Sequence, residues 1–142
     1  MRLSSRSEYG LRALVALAHR DNALPVPLRL IAEEENISEQ YLEQIFVELR
    51  RAGFVSSVRG AKGGYRLARD PESIVVGDVV RLLEGTLAPM DCLTEDSRPC
   101  VHEEGCRTRL VWQRIQSSIE DALGSMTLAE AAGAPLPARA AN

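Results

Sequence analysis

Long apolar runs are missing from this 142-residue sequence. Nothing approaches the roughly 18 to 20 consecutive apolar residues that a membrane helix requires, and the opening Met1-Arg-Leu-Ser-Ser-Arg6 lacks the apolar core of a signal peptide. A cytoplasmic protein with no membrane partner is expected. Histidine occurs only twice, and there is no Cys-x-x-Cys pair, no Gly-x-Gly-x-x-Gly fingerprint and no recognisable spacing of nucleophile, base and acid. Catalysis has little to build on, so a protein that is not an enzyme is expected. Cysteine is scarce too: Cys92, Cys100 and Cys106 are the only three, and an odd count confined to one segment excludes a disulfide framework spread through the fold. Finally, residues 50–69 contain no carboxylate, although they hold Arg50, Arg51, Arg59, Lys62, Arg66 and Arg69. The whole chain has a net charge of −3, yet residues 1–70 carry 11 Lys or Arg against 9 Asp or Glu, a net of +2, while residues 71–142 carry 6 against 11, a net of −5. Such a local cationic footprint on an acidic protein suits a nucleic-acid partner.

What is present is helical periodicity. A hydrophobic content of 45% is enough for one compact core with a small appended element. Leu11, Leu14, Val15 and Ala18 recur at helical spacing within Arg6 to His19, and Asp21-Asn22 follows as a stop. Pro27 suits the first position of a short second helix with Leu28, Ile31 and Ala32 on its apolar face, ending near Asn36. Ser38 is a good N-cap for a third helix, whose stripe is Leu42, Ile45, Phe46 and Leu49. Residues 54–58 and 65–67 read as strands around the glycine-rich turn Arg59-Gly-Ala-Lys-Gly-Gly64. Val75 to Leu83 is helical again, with Gly85 as its stop, and residues 86–106 show no periodicity. Arg107 to Leu123 is the longest helix, with Val111, Trp112, Ile115, Ile119 and Ala122 forming a broad apolar face that needs a partner. Thr127 caps a last short helix, and residues 133–142 form a Pro- and Ala-rich tail that is expected to be flexible.

The predicted fold is therefore mainly α with a small β-hairpin: a winged helix-turn-helix plus a long helix whose apolar face needs a partner. The division is 1–85 for DNA binding, 86–106 for the cysteine loop, 107–132 for the long helix and the short helix after it, then the tail. On the third helix Ser38, Gln40, Tyr41, Glu43 and Gln44 are candidates for contact with DNA. Gln pairs bidentately with adenine and Glu accepts from cytosine N4, so this face has groove-reading chemistry. Arg50, Arg51, Arg59, Gly60 and Lys62 are candidates for the phosphate backbone or minor groove, the glycine letting the chain come close to a surface. Three thiols in an irregular loop suit a soft-metal site, an iron-sulfur cluster, zinc or copper(I), but this spacing is also open to a redox disulfide or to inert thiols.

Met1-Arg-Leu-Ser-Ser5, Tyr41-Leu-Glu-Gln44, Arg51-Ala-Gly-Phe-Val-Ser-Ser-Val-Arg-Gly60, Gly63-Gly-Tyr65 and Ile74-Val-Val-Gly-Asp-Val79 resemble the IscR and NsrR type of bacterial regulators of the Rrf2 superfamily. The resemblance runs from residue 1 to about 130. It implies a homodimer joined through the long helix, a palindromic operator in double-stranded DNA, and an iron-sulfur cluster on Cys92, Cys100 and Cys106. IscR places a histidine ligand three positions after the last cysteine; Arg109 stands there, and a guanidinium has no lone pair to offer. A 4Fe-4S cluster is thus implied ahead of a 2Fe-2S cluster. Candidates for its fourth ligand include Asp91, Glu103 and Glu104, but Glu8 comes first, by correspondence with the NsrR carboxylate in helix one of the partner subunit, and His102 is the alternative. Glu8 lies three residues before Leu11 and seven before Val15, so it extends that stripe, where an unpaired carboxylate is costly. Zinc or a thiol-disulfide switch is the competing reading of the loop.

Overall fold

A computed structural model describes residues 2–20 and 22–133. The elements run α1 (Ser5–Ala18), α2 (Leu28–Glu35), α3 (Glu39–Arg51), β1 (Val55–Val58), β2 (Gly64–Leu67), α4 (Val76–Glu84), α5 (Arg109–Gly124) and α6 (Leu128–Gly133), with 3-10 turns at Pro71–Ser73 and Asp91–Leu93. This is the expected winged helix-turn-helix followed by a long helix. Of the expected tail, residues 134–142 lie outside the described residues.

The core forms where α1, α2, α3 and the hairpin meet. Leu42, Ile45, Phe46 and Leu49 are all fully buried, as their spacing requires, each contributing roughly 1.5–3 kcal/mol of burial. Ser38 caps α3 by accepting from the Tyr41 N–H at 3.4 Å, and Asn36 takes the left-handed conformation, φ 54°, that ends α2. Helix α1 departs from its apparent stripe: it buries Ser7, Gly10, Ala13, Leu14, Ala16 and Leu17, while Leu11, Val15 and Ala18 are only half-buried. Gly10, Ala13 and Ala16 are too small to mark a hydrophobic face, yet their smallness lets α1 lie close against its neighbours. Pro27 sits one position earlier than expected, as the N-cap residue of α2.

Strands β1 and β2 pair antiparallel from Val55 with Leu67 to Val58 with Gly64. The hairpin is held from outside as well. Val26 and Tyr65 exchange both backbone hydrogen bonds at 2.8 Å, and the Asn22 side chain accepts from the Leu67 N–H at 2.9 Å and donates to its carbonyl at 3.0 Å. Asn22, expected only to stop α1, thus acts as a short surrogate strand. The edge-to-face contact of Tyr65 with Phe46, centroids 4.9 Å apart, seats the wing on α3.

Helix α6 belongs to the same core, with Leu128 fully buried and hydrogen bonds from Val76 N–H to the Met126 carbonyl and from Leu128 N–H to the Ile74 carbonyl. Thr127 caps α6, its hydroxyl accepting from the Glu130 N–H at 3.2 Å while the Glu130 carboxylate accepts from the Thr127 N–H at 2.7 Å. By contrast, α5 buries none of its 16 residues. Leu123 packs on the small cluster of Val76, Val80 and Leu87, whereas Leu110, Val111 and Ile115 are 58%, 50% and 39% exposed. Among the described residues no helix is long and apolar enough to cross a membrane.

Candidate DNA-binding surface and cysteine loop

Helix α3 turns its stripe inward and leaves Ser38, Gln40, Glu43 and Gln44 exposed. Tyr41 differs: it is half-buried and meets Tyr9 of α1 edge to face at 5.8 Å, so its ring serves packing. The exposed cations continue from the end of α3 into the wing. Arg50, Arg51, Arg59, Lys62, Arg66 and Arg69 all reach solvent, and among the described residues none is in an ion pair. Arg50 lies 3.5 Å from the Ser57 hydroxyl, and Arg69 stacks over the Phe54 ring at 4.5 Å. Cations that no carboxylate neutralises are free to displace counterions from a phosphate backbone. Gly60, exposed at the hairpin tip with φ 111°, lets the chain turn there between Arg59 and Lys62.

Variants of these residues are expected to separate two kinds of contact. Arg59→Ala and Lys62→Ala should weaken binding to all duplexes and reduce the slope of log affinity against log salt by about one unit for each phosphate no longer neutralised. Glu43→Ala and Gln44→Ala should change which bases are preferred. Titrating labelled duplexes at several salt concentrations checks both, and unchanged slopes for the two wing variants would count against the wing.

Cys92 stands in the Asp91–Leu93 turn, Cys100 follows in the irregular loop, and Cys106 lies just before α5; all three are half-buried free thiols. Cys92 and Cys100 line one shallow cavity with Asp91, Thr94, Asp96 and Arg98. Hydrogen bonding from the Thr108 side chain and backbone, aided by the Arg109 amide and charge, holds the Cys106 thiol below its ordinary pKa. The Cys106 sulfur lies 3.5 Å from the Thr108 hydroxyl. Arg109 also pairs with Glu103 at 3.6 Å. Asp91, His102, Glu103 and Glu104 are exposed.

Burial does not single out Glu8. Its side chain is 61% exposed and lies 3.8 Å from Arg12, because the buried face of α1 runs through Gly10, Ala13, Leu14 and Leu17 rather than along the Leu11 and Val15 stripe. Burial therefore exacts no cost at Glu8 that a metal would need to relieve. Among the described residues no three His, Cys, Asp or Glu side chains stand close enough together to hold a metal ion.

A family model described as "Iron-dependent Transcriptional regulator", Rrf2, matches residues 3–133. The chain belongs to the Rrf2 family of transcriptional regulators. It is 40% identical over 132 residues to the regulator CymR of Bacillus subtilis, covering 93% of this chain and 90% of CymR. The solved structure of that protein, described as the global cysteine regulator, superposes with a TM-score of 0.79 at 38% identity, covering 93% of this chain and 96% of CymR. The oxidised form of Staphylococcus aureus CymR gives 0.77 at 37%, covering 95% of this chain and 98% of that one. IscR of T. potens gives 0.73 at 43%, covering 92% and 85%. The likeness is thus shared between IscR and CymR, whereas the sequence motifs pointed to the IscR and NsrR side alone.

One group lay beyond the reach of the motifs. Glu84, Ser4 and Ser7 join the end of α4 to the start of α1, and Arg6 pairs with Glu48 of α3. Only the Ser4 cap, which accepts from the Ser7 N–H, has a local sequence signature.

Proposed function

We propose that this regulator is a homodimer that reads a two-fold symmetric operator in double-stranded DNA with α3 and the wing, under control of the Cys92, Cys100 and Cys106 thiols. The observation that carries the reading is the set of exposed cations from Arg50 at the end of α3 to Lys62 in the wing, none of them in an ion pair among the described residues, together with the exposed polar face of α3. The uncovered apolar side of α5 supports a second copy as its partner.

Three soft thiol donors suit an iron-sulfur cluster, and the description of the matching family as iron-dependent supports it. Cys92, Cys100 and Cys106 would hold the cluster, with Glu8 of the partner subunit as the fourth ligand and His102 as the alternative; Arg109 favours the 4Fe-4S form. When bound, the cluster would supply a redox-active group that oxygen or nitric oxide can attack. The part played by the chain is to keep three thiols unpaired and accessible on a loop that the main core does not fix. A second reading, zinc or a thiol-disulfide switch, has support for its switch form in the likeness to CymR, one example of which is solved in an oxidised form.

Purification without oxygen, followed by iron, sulfide and zinc analysis, separates the two. The cluster reading expects brown protein with iron and sulfide in similar amounts, and Cys92→Ala, Cys100→Ala and Cys106→Ala each lose both while remaining folded. Colourless protein, with or without zinc, would favour the second reading. For the fourth ligand, Glu8→Ala should shorten the cluster lifetime while His102→Ala leaves it unchanged; the reverse result moves that role to His102.

A further inference from the structure

Glu84 is the last residue of α4, and its C-cap Gly85 leads into the loop that carries the cysteines. Its carboxylate accepts from the Ser4 N–H at 2.9 and 3.2 Å, from the Ser4 hydroxyl at 2.8 Å and from the hydroxyl of buried Ser7. A carboxylate at a helix C-terminus opposes the dipole of its own helix, whereas the first turn of α1 presents free N–H groups and the opposite polarity. Burial pushes the Glu84 pKa up, but the hydrogen bonds from Ser7 and Ser4 together outweigh it and hold the group below its ordinary value.

The first two turns of α1 also grip α3. Arg6 pairs with Glu48 in α3, and Gly10 is so tightly enclosed that a Cβ there would lie 3.1 Å from Ile45 of α3 and closer still to Leu83, the residue before Glu84. Among the described residues no hydrogen bond or ion pair joins α4 directly to α3, so the polar linkage between them runs through α1.

We propose that Glu84 is a positioning residue for operator reading: by fastening the end of α4 to the first turn of α1, it sets where α1 holds α3. The inference rests on α3 being the helix that reads the operator. The test uses the full-length protein, a selected operator duplex and an unrelated duplex at one salt concentration, with thermal midpoints recorded. Glu84→Ala is expected to weaken operator binding about 10-fold and binding to unrelated DNA less than about 2-fold. Glu84→Gln, whose carbonyl oxygen still accepts from Ser4 and Ser7, should fall between Glu84→Ala and wild type. The pair Glu84→Ala with Arg6→Met should be no weaker on the operator than the weaker single variant, because both cut one linkage. Equal losses on both duplexes, losses that multiply in the pair, or an unchanged operator affinity for Glu84→Ala would each overturn the proposal. If Glu84→Ala does not fold, Glu84→Gln with Arg6→Met provides the same comparison. Gln44→Ala, measured alongside, separates the two failures. If it leaves base preference intact, the reading of α3 is wrong and the proposal falls with it; if it shifts base preference while the Glu84 variants bind as wild type, the positioning role alone is lost.

Discussion

Replacing Val111 and Ile115 together by Glu is expected to give a folded protein that elutes at monomer size and binds its operator about 100-fold or more weakly than wild type. Both side chains stand on the uncovered side of α5, 50% and 39% exposed, so the substitution removes nothing from the core of a single chain. In a dimer the same positions lose apolar burial, and two added carboxylates per subunit meet across the seam. Each monomer then reads one half-site alone, without the high effective concentration that linkage provides for the second. Analytical ultracentrifugation and operator titration check the two effects, with circular dichroism to confirm that helix content is kept. A double variant that remains dimeric would place the subunit contact elsewhere.

Gly64→Ala is expected to destabilise the wing strongly, costing about 3 kcal/mol and lowering the melting temperature by roughly 10 °C. Gly64 has φ 149°, a conformation that L side chains rarely adopt, and a Cβ there would fall within 2.6 Å of the Pro27 nitrogen and closer still to the Val26 carbonyl. Neither neighbour is a flexible side chain that can move aside. Relieving the clash means breaking the exchange of hydrogen bonds between Val26 and Tyr65, and with it the seat of Tyr65 on Phe46. Gly60→Ala is the control, because Gly60 has φ 111° but open space around it and carries only the conformational cost. Thermal unfolding of the two variants checks the difference, and similar midpoints would mean that the approach of the wing to Val26 has no energetic weight.

Periodicity made most of this fold legible. The stripe of α3, the Ser38 cap, the hairpin and the Gly85 stop were all readable because each is a local signal: a repeat near 3.6 residues, a hydroxyl before a helix, a glycine after one. The face of α1 escapes the pattern because most of what it buries is Ser7, Gly10, Ala13 and Ala16, residues with little side chain to mark a hydrophobic stripe. Glu8 follows from the same stripe: it extends Leu11 and Val15 in sequence, yet it reaches solvent beside Arg12. Asn22 and Glu84 were invisible for another reason: their partners lie 45 and up to 80 residues away, and nothing local distinguishes an amide that pairs with a strand from one that ends a helix. The cysteines show the same limit. Their number and confinement were evident, but a loop without periodicity carries no local signal of what stands beside each thiol.

The central claim, a dimer that reads DNA with α3 and the wing, is tested most directly by selecting bound duplexes from a random DNA library with the full-length protein. The account predicts enrichment of a two-fold symmetric sequence whose half-site centres lie about 10 base pairs, or a multiple of that, apart. Recovery of no enriched sequence, or of a single half-site without a symmetric mate, would contradict it.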